Sequence, residues 1–222
     1  MKIIAVIPAR ISSTRLPEKP LAMIGNKPLI QWVYENVSKS KIISKTIVAT
    51  DSEKIANAIS SFNGNFELTS PNHPSGTDRI AEVARKLDAD IILNVQGDEP
   101  FITADVIDTV LKVMIKDDKI EYASAKTKMI SIKEFFNSNI VKVICDEKDF
   151  AIYFSRAPIP YFREEFDNYK KTGKIDSNIE KNILTNTYKH IGIYAYKWDF
   201  LIRFTKLKEG FLEKTEKLEQ LR

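Results

Sequence analysis

The sequence predicts an α/β fold built on a mostly parallel sheet flanked by helices. Three observations carry that expectation. Residues 3–7 form an unbroken apolar run, the pattern of a strand buried on both faces. Apolar runs recur at 45–49 and 90–95 with amphipathic helical patterns between them, the β-α-β-α-β rhythm of a parallel sheet with right-handed crossovers. The first and third of these runs end in turns rich in polar groups, at the strand C-terminal edge where open α/β sheets bind ligands.

Each element follows from local pattern. After the first strand, residues 28–38 read as a helix with Leu29, Ile30, Val33 and Val37 on one stripe. The second strand ends at Thr50-Asp51, and Asp51 or Ser52 can cap a helix running to about residue 62. Asn63-Gly64 marks a turn, and residues 65–69 read as a further strand. Thr77 or Asp78 can cap the helix that carries Ile80, Val83, Ala84 and Leu87. Thr103 caps a helix to about residue 115. Beyond about residue 120 the rhythm changes. Residues 121–128, 141–145, 150–155 and 188–196 read as strands with fewer helices between them, an antiparallel extension of the sheet or a small mixed lobe. Residues 163–182 are polar with little periodicity and read as a mobile surface loop. Helices at 199–206 and 211–222 close the chain, which reads as one domain of 222 residues with a turning point near 120.

Composition excludes several classes. Lys plus Arg total 34 and Asp plus Glu 30, a formal charge of +4 that suits a small anionic ligand. No basic run interleaved with aromatics points to nucleic acid, and no apolar stretch is long enough to span a bilayer. One cysteine, Cys145, rules out an internal disulfide and a cysteine-cluster zinc site; it reads as a buried structural thiol. The N-terminus enters a strand directly with no targeting pattern, so a reducing cytoplasm is the expected compartment.

The densest chemistry is the stretch from Pro8 to Leu21, directly after the first strand. Arg10, Arg15 and Lys19 can surround several phosphate charges, with Ser12, Ser13, Thr14 and backbone N–H groups as further donors. The alternative is a surface loop of solvated charges. Neither the Gly-x-x-x-x-Gly-Lys-Ser/Thr loop nor Gly-x-Gly-x-x-Gly occurs, so this stretch must grip any phosphates itself. In the turn Gln96-Gly97-Asp98-Glu99-Pro100 a carboxylate stands at a strand end, which suits Mg²⁺ bridging to phosphate oxygens; Asp98 is the better placed of the two acids. Ser75-Gly76-Thr77-Asp78-Arg79 opens a helix whose N–H groups face outward, and Arg79 can donate to a nucleobase carbonyl. His190 lies in a strand pattern, the usual setting of a structural histidine, and with His73 as the one other histidine no hydrolase triad assembles. Glu213, Glu216 and Gln220, at spacings of three and four, share one face of the last helix, acidic enough to receive sugar hydroxyls or simply solvated.

Together these segments resemble the 3-deoxy-manno-octulosonate (Kdo) cytidylyltransferase family. The matching stretches are Pro8-Ala9-Arg10, Ser13-Thr14-Arg15-Leu16-Pro17, Lys19-Pro20-Leu21, Ala49-Thr50-Asp51 and Ser75-Gly76-Thr77-Asp78-Arg79. They continue with Asn94-Val95-Gln96-Gly97-Asp98-Glu99-Pro100, Tyr153-Phe154-Ser155-Arg156, His190-Ile191-Gly192-Ile193-Tyr194 and Leu218-Glu219-Gln220-Leu221-Arg222. The resemblance implies a Rossmann-like, mostly parallel sheet of the nucleotide-diphospho-sugar transferase type, with a small antiparallel dimerisation extension. It implies a CTP-binding half at about 1–120 and a sugar-binding and dimerisation half at about 121–222. The reaction implied is CTP + Kdo → CMP-Kdo + diphosphate, which activates Kdo for lipopolysaccharide synthesis. Carried over by position, Ala9, Arg10, Ser13, Arg15, Lys19, Ser75 and Arg79 match CTP-binding positions; Arg15, Lys19 and Asp98 match catalytic ones, with Asp98 holding Mg²⁺. Gln96, Arg156, His190, Tyr194, Glu216 and Gln220 fall in segments used around the sugar, and a homodimer is implied.

The family pattern runs on past Leu221-Arg222 into a further strand and an Asp-Thr-Pro-Glu-Asp-Leu segment whose first Asp is a second metal ligand. The sequence here ends at Arg222, which leads to an expectation of weaker Mg²⁺ binding, exposed apolar surface and reduced stability. Two alternatives stay open: a cytidylyltransferase for another acidic sugar, of the sialic-acid or 8-amino Kdo type, and a shortened, catalytically silent CTP-binding dimer.

Overall fold

The structure is a computed structural model that describes residues 1–11, 17–172 and 175–222, and only the backbone of 168–172. The chain divides into two compact units, residues 1–125 with 192–206 and residues 126–191 with 207–222. Residues 192–206, which follow the expected turning point near 120, thus belong to the first unit.

The first unit is the parallel sheet anticipated from the apolar runs. Strand β1 (Ile3–Ala9) lies between β4 (Lys45–Thr50) and β6 (Ile91–Val95), parallel to both, and β5 (Phe66–Leu68) continues the sheet beyond β4. Residues 193–197 of β10 (Tyr188–Lys197) pair antiparallel with β6. Helices α1 (Leu29–Ser38), α2 (Glu53–Ser60), α3 (Gly76–Ala84), α4 (Ala104–Lys116) and α8 (Trp198–Phe204) accompany it. Val6 and Ile47 pack with Ile80, Val83, Tyr196 and Leu201 in a core that removes large apolar side chains from water, the main force for this fold. Ser52 and Thr103 cap α2 and α4 as their positions allow. A short hairpin, β2 (Met23–Ile24) with β3 (Lys27–Pro28), turns through Gly25 at φ 63° and was hidden by its length.

In the second unit, β8 (Lys142–Cys145) pairs antiparallel with the first residues of β10 and with β9 (Ala151–Ser155), the expected antiparallel extension. The last strand of the first unit and the β8 partner strand are therefore one continuous segment of chain. Helix α5 (Ile132–Phe136) and its neighbours bury Met129, Phe135, Phe166 and Ile183 together. Strand β7 (Tyr122–Lys128) crosses the unit boundary in sequence.

Four expectations are corrected. Residues 163–182 are not a loop but carry α6 (Arg163–Thr172) and most of α7 (Ser177–Asn186); their polar faces mask a sparse apolar stripe of Phe166, Ile179, Ile183 and Leu184. The closing helix is not continuous to 222. It ends as α9 (Phe211–Glu216), Lys217 takes a left-handed φ of 54°, and Leu218 turns in to pack on Val143 and Phe154. Ser75, not Thr77 or Asp78, caps α3, accepting from the Asp78 N–H at 3.2 Å. Cys145 is half-buried rather than buried.

Close packing fixes one glycine. A Cβ on Gly97 would lie 2.8 Å from the Pro8 carbonyl oxygen, inside any allowed contact with backbone. Gly97→Ala is expected to cost about 1–3 kcal/mol of unfolding free energy in urea melts, the usual price of overpacking.

Candidate functional site

Three chain segments meet at Pro8 in the first unit. They are the end of β1, the turn after β6 at Gly97, and the start of α3, where a Cβ on Gly76 would touch Pro8 Cγ at 3.4 Å. Ala9, the last residue of β1, is 3 % exposed, so this rim is anchored in the core. Arg10 is half-buried, and its Nη2 is shielded from solvent without a hydrogen-bond partner among the described residues. A buried guanidinium nitrogen with no acceptor is costly, and an anionic ligand removes that cost. Lys19 opens a 3-10 turn, Lys19–Leu21, and its Nζ donates to Asp98 Oδ2 at 2.5 Å. Both side chains are partly exposed, at 38 % and 48 %. Ser13 and Arg15 lie outside the described residues.

Ser75 Oγ donates to Asp78 Oδ2 at 2.7 Å, which closes its cap. Arg79 is fully enclosed, at 0 % exposure. Its Nη2 donates to Asp51 Oδ2 at 2.6 Å and its Nη1 to Thr69 Oγ1, while Nε and Asp51 Oδ1 are buried without partners. Arg79 therefore braces the segment headed by Ser75 against the ends of β4 and β5. Beside it His73 Nε2 meets Glu82 Oε2 at 2.5 Å, and that hydrogen bond leads the effects that hold the Glu82 carboxyl below the usual carboxylate range. Gln96 Nε2 donates to Asn94 Oδ1 at 3.0 Å. Tyr194 is half-buried and stacks on Tyr122, with centroids 6.1 Å apart.

The second unit brings together Arg156 and Glu216, 60 residues apart in sequence. The Glu216 carboxylate accepts from Ser155 Oγ at 2.5 Å, from the Arg156 N–H at 2.9 Å and from the Tyr153 hydroxyl at 3.3 Å. Burial pushes this carboxyl up, but these hydrogen bonds and the Arg156 charge outweigh it and hold the group below its ordinary range. Arg156 Nε donates to the Glu216 main-chain oxygen at 2.7 Å and Nη1 to Ser138 O at 3.1 Å. Its Nη2 makes no hydrogen bond among the described residues. Gln220 sits in the closing 3-10 turn Glu219–Leu221, not on the helix of Glu216, because Lys217 breaks that helix. His190 packs edge-on against Phe154 at 5.1 Å, and burial pulls its imidazole down to about 4. Sequence reading passed over Lys142, a wholly buried lysine in this unit, although a lysine amid Ile140, Val141, Val143 and Ile144 was a signal in itself.

Among the described residues no group of three or more His, Cys, Asp or Glu is gathered to hold a metal. The donor chemistry at Asp98 nevertheless fits a hard divalent cation. Asp98 is a partly exposed carboxylate whose Oδ1 makes no hydrogen bond among the described residues, and phosphate oxygens and water complete such shells. Desolvation and then the neighbouring Asp98 charge push the Glu99 carboxyl up.

A parallel sheet whose strand ends carry an arginine with a buried nitrogen unpartnered among the described residues, and beside it a lysine–aspartate pair, defines an α/β protein suited to a phosphorylated ligand. Comparison with known proteins is more specific. The family model for cytidylyltransferases matches residues 4–222, and the chain belongs to that family. A 3-deoxy-manno-octulosonate cytidylyltransferase of Geotalea uraniireducens is 46% identical over 222 residues, all of this chain and 86% of the relative. The enzyme of the same name from Fusobacterium nucleatum is 45% identical over 223 residues, all of this chain and 84% of that protein. A solved CMP:2-keto-3-deoxy-manno-octonic acid synthetase in complex with CTP superposes with a TM-score of 0.87 at 40% identity, covering all of this chain and 84% of that one. A Leptospira borgpetersenii cytidylyltransferase, 17% identical at a TM-score of 0.58, shares the fold.

The His190 shift has a thermodynamic consequence. A folded value near 4 against about 6.5 unfolded means that the unfolded chain binds the extra proton in that window. This share of stability, up to about 3 kcal/mol, is complete above pH 6.5 and is lost as pH falls toward 4. Chemical denaturation between pH 7 and 4 should show His190→Gln losing less stability than the unsubstituted chain.

Proposed function

We propose that this chain transfers cytidine monophosphate from CTP to Kdo, releasing diphosphate and delivering CMP-Kdo for lipopolysaccharide synthesis in the cytoplasm. The relatives' names and the CTP-bound neighbour support the substrates. The observation in this chain that carries the reading is the Arg10, Lys19 and Asp98 rim around Pro8.

The anomeric hydroxyl of the sugar attacks the α-phosphorus in line. A new O–P bond forms, the bond to the bridging oxygen of diphosphate breaks, and the hydroxyl proton is released. Charge grows on the α-phosphate and the leaving diphosphate, so catalysis is positioning plus neutralisation. Arg10 supplies Nη2, unpartnered among the described residues, to a phosphate oxygen. Lys19 exchanges Asp98 for the leaving group, with Arg15 assigned to the same task. Asp98 holds Mg²⁺, which supplies further neutralisation of phosphate charge. Ser75 and Arg79 shape the base pocket, with Ala9 and Ser13 along the nucleotide. Arg156 receives the sugar carboxylate on Nη2, with His190, neutral above pH 4, beside the sugar hydroxyls. Gln96, Tyr194, Glu216 and Gln220 complete the sugar contacts. The enzyme works as a homodimer; the outward Phe150 and Ile152 at β9, 56% and 66% exposed, support that part of the proposal.

Asp98→Ala should lower diphosphate release from CTP, Kdo and Mg²⁺ by at least about 100-fold, the scale of a lost charge-stabilising group. Its melting temperature should stay near that of the unsubstituted chain, since the side chain is about half exposed. Full metal-dependent activity in Asp98→Ala refutes the metal role, and no CTP-dependent release by the unsubstituted chain refutes the reaction.

A further inference from the structure

Lys142 on β8 is 0 % exposed, yet no carboxylate pairs with it directly. Its ammonium uses all three donors on main-chain carbonyls: Ile140 O at 2.6 Å, Arg156 O at 2.7 Å and Asn137 O at 2.9 Å. Burying a cation is expensive, and an apolar side chain of similar volume commonly serves packing as well or better. A charge kept here is therefore informative about what it organises.

Its three acceptors are informative too. One is the carbonyl of Arg156 itself. The other two, at 137 and 140, straddle Ser138, whose carbonyl accepts from Arg156 Nη1 at 3.1 Å. Lys142 thus fixes both the backbone that carries the Arg156 side chain and the segment against which the guanidinium rests. Glu216 restrains the same arginine from the other side through the Arg156 N–H and, by its main-chain oxygen, through Nε. Of the guanidinium, Nη2 alone is left without a partner among the described residues. Two cations and one carboxylate make this cluster net positive. The lysine feels that excess: burial, then the Arg156 charge, pull its ammonium down against the opposing pull of Glu216.

We propose that Lys142 is a positioning residue for the acidic sugar: it clamps the 137–140 segment and Arg156 so that Nη2 is presented to the sugar carboxylate, and its charge keeps the cluster cationic. This rests on the cytidylyltransferase reading, and its test separates the two. Steady-state kinetics of Lys142→Met, which keeps the length and loses the charge and donors, should show KM for Kdo raised about tenfold, the equivalent of one well-placed interaction, with KM for CTP unchanged. Lys142→Gln, which can still serve two of the carbonyls, should fall between Met and the native lysine. A purely structural role moves stability and total activity together and leaves the ratio of the two KM values untouched. Unchanged KM for Kdo in folded Lys142→Met, a parallel rise in both KM values, or failure of both variants to fold overturns the proposal. Absence of turnover by the unsubstituted chain instead overturns the cytidylyltransferase reading.

Discussion

The chemistry of the first unit depends on how closely backbone can approach Pro8. The turn after β6 passes so near the Pro8 carbonyl that only a hydrogen fits at Gly97, and the start of α3 meets the proline ring at Gly76. Because β1 is buried at every residue but Pro8, that contact point is flanked on both sides by residues of the hydrophobic core. Asp98 follows Gly97, Ser75 precedes Gly76 and Arg10 follows Ala9, so each functional side chain is one residue from a position set by close packing or burial. Strand order and sheet register, set by apolar burial, thereby place charge at the sheet rim.

Both units handle cations in the same way. Arg10 and Arg156 are half-buried, and each keeps at least one guanidinium nitrogen without a partner among the described residues. Lys142 has none left and is spent on carbonyls. Arg79 spends its two terminal nitrogens on Asp51 and Thr69. The distinction separates cations that hold the fold from cations available to an anion, and it cannot be read from residue type. A structural cation must be almost fully satisfied to tolerate low dielectric, whereas a ligand-binding one must keep a donor in reserve.

Much of this was legible in the sequence, and the rest fails for identifiable reasons. The parallel strands announced themselves because both faces are buried and the runs are unbroken. The rim residues Arg10, Lys19 and Asp98 followed from their place after those strands. Residues 163–182 misled because their helices bury one thin stripe and are otherwise polar, so composition outweighed period. The closing helix misled because Lys217 adopts a left-handed conformation that its residue type does not announce. Spacing had put Gln220 on the Glu216 face, and one such residue is enough to undo an i, i+4 argument. Partners distant in sequence, such as Glu216 with Arg156 or Arg79 with Asp51, carry no local pattern at all. Lys142 was visible only as an oddity, a charge in an apolar strand whose three acceptors are main-chain atoms and so have no sequence signature.

The most direct test is a crystal structure of this chain grown with CTP. The account predicts the triphosphate at the C-terminal end of β1, with phosphate oxygens on Arg10 Nη2 and Lys19 Nζ and the lysine drawn off Asp98. A nucleotide lodged elsewhere, or a rim in which Lys19 stays on Asp98 and Arg10 touches no phosphate, would contradict it.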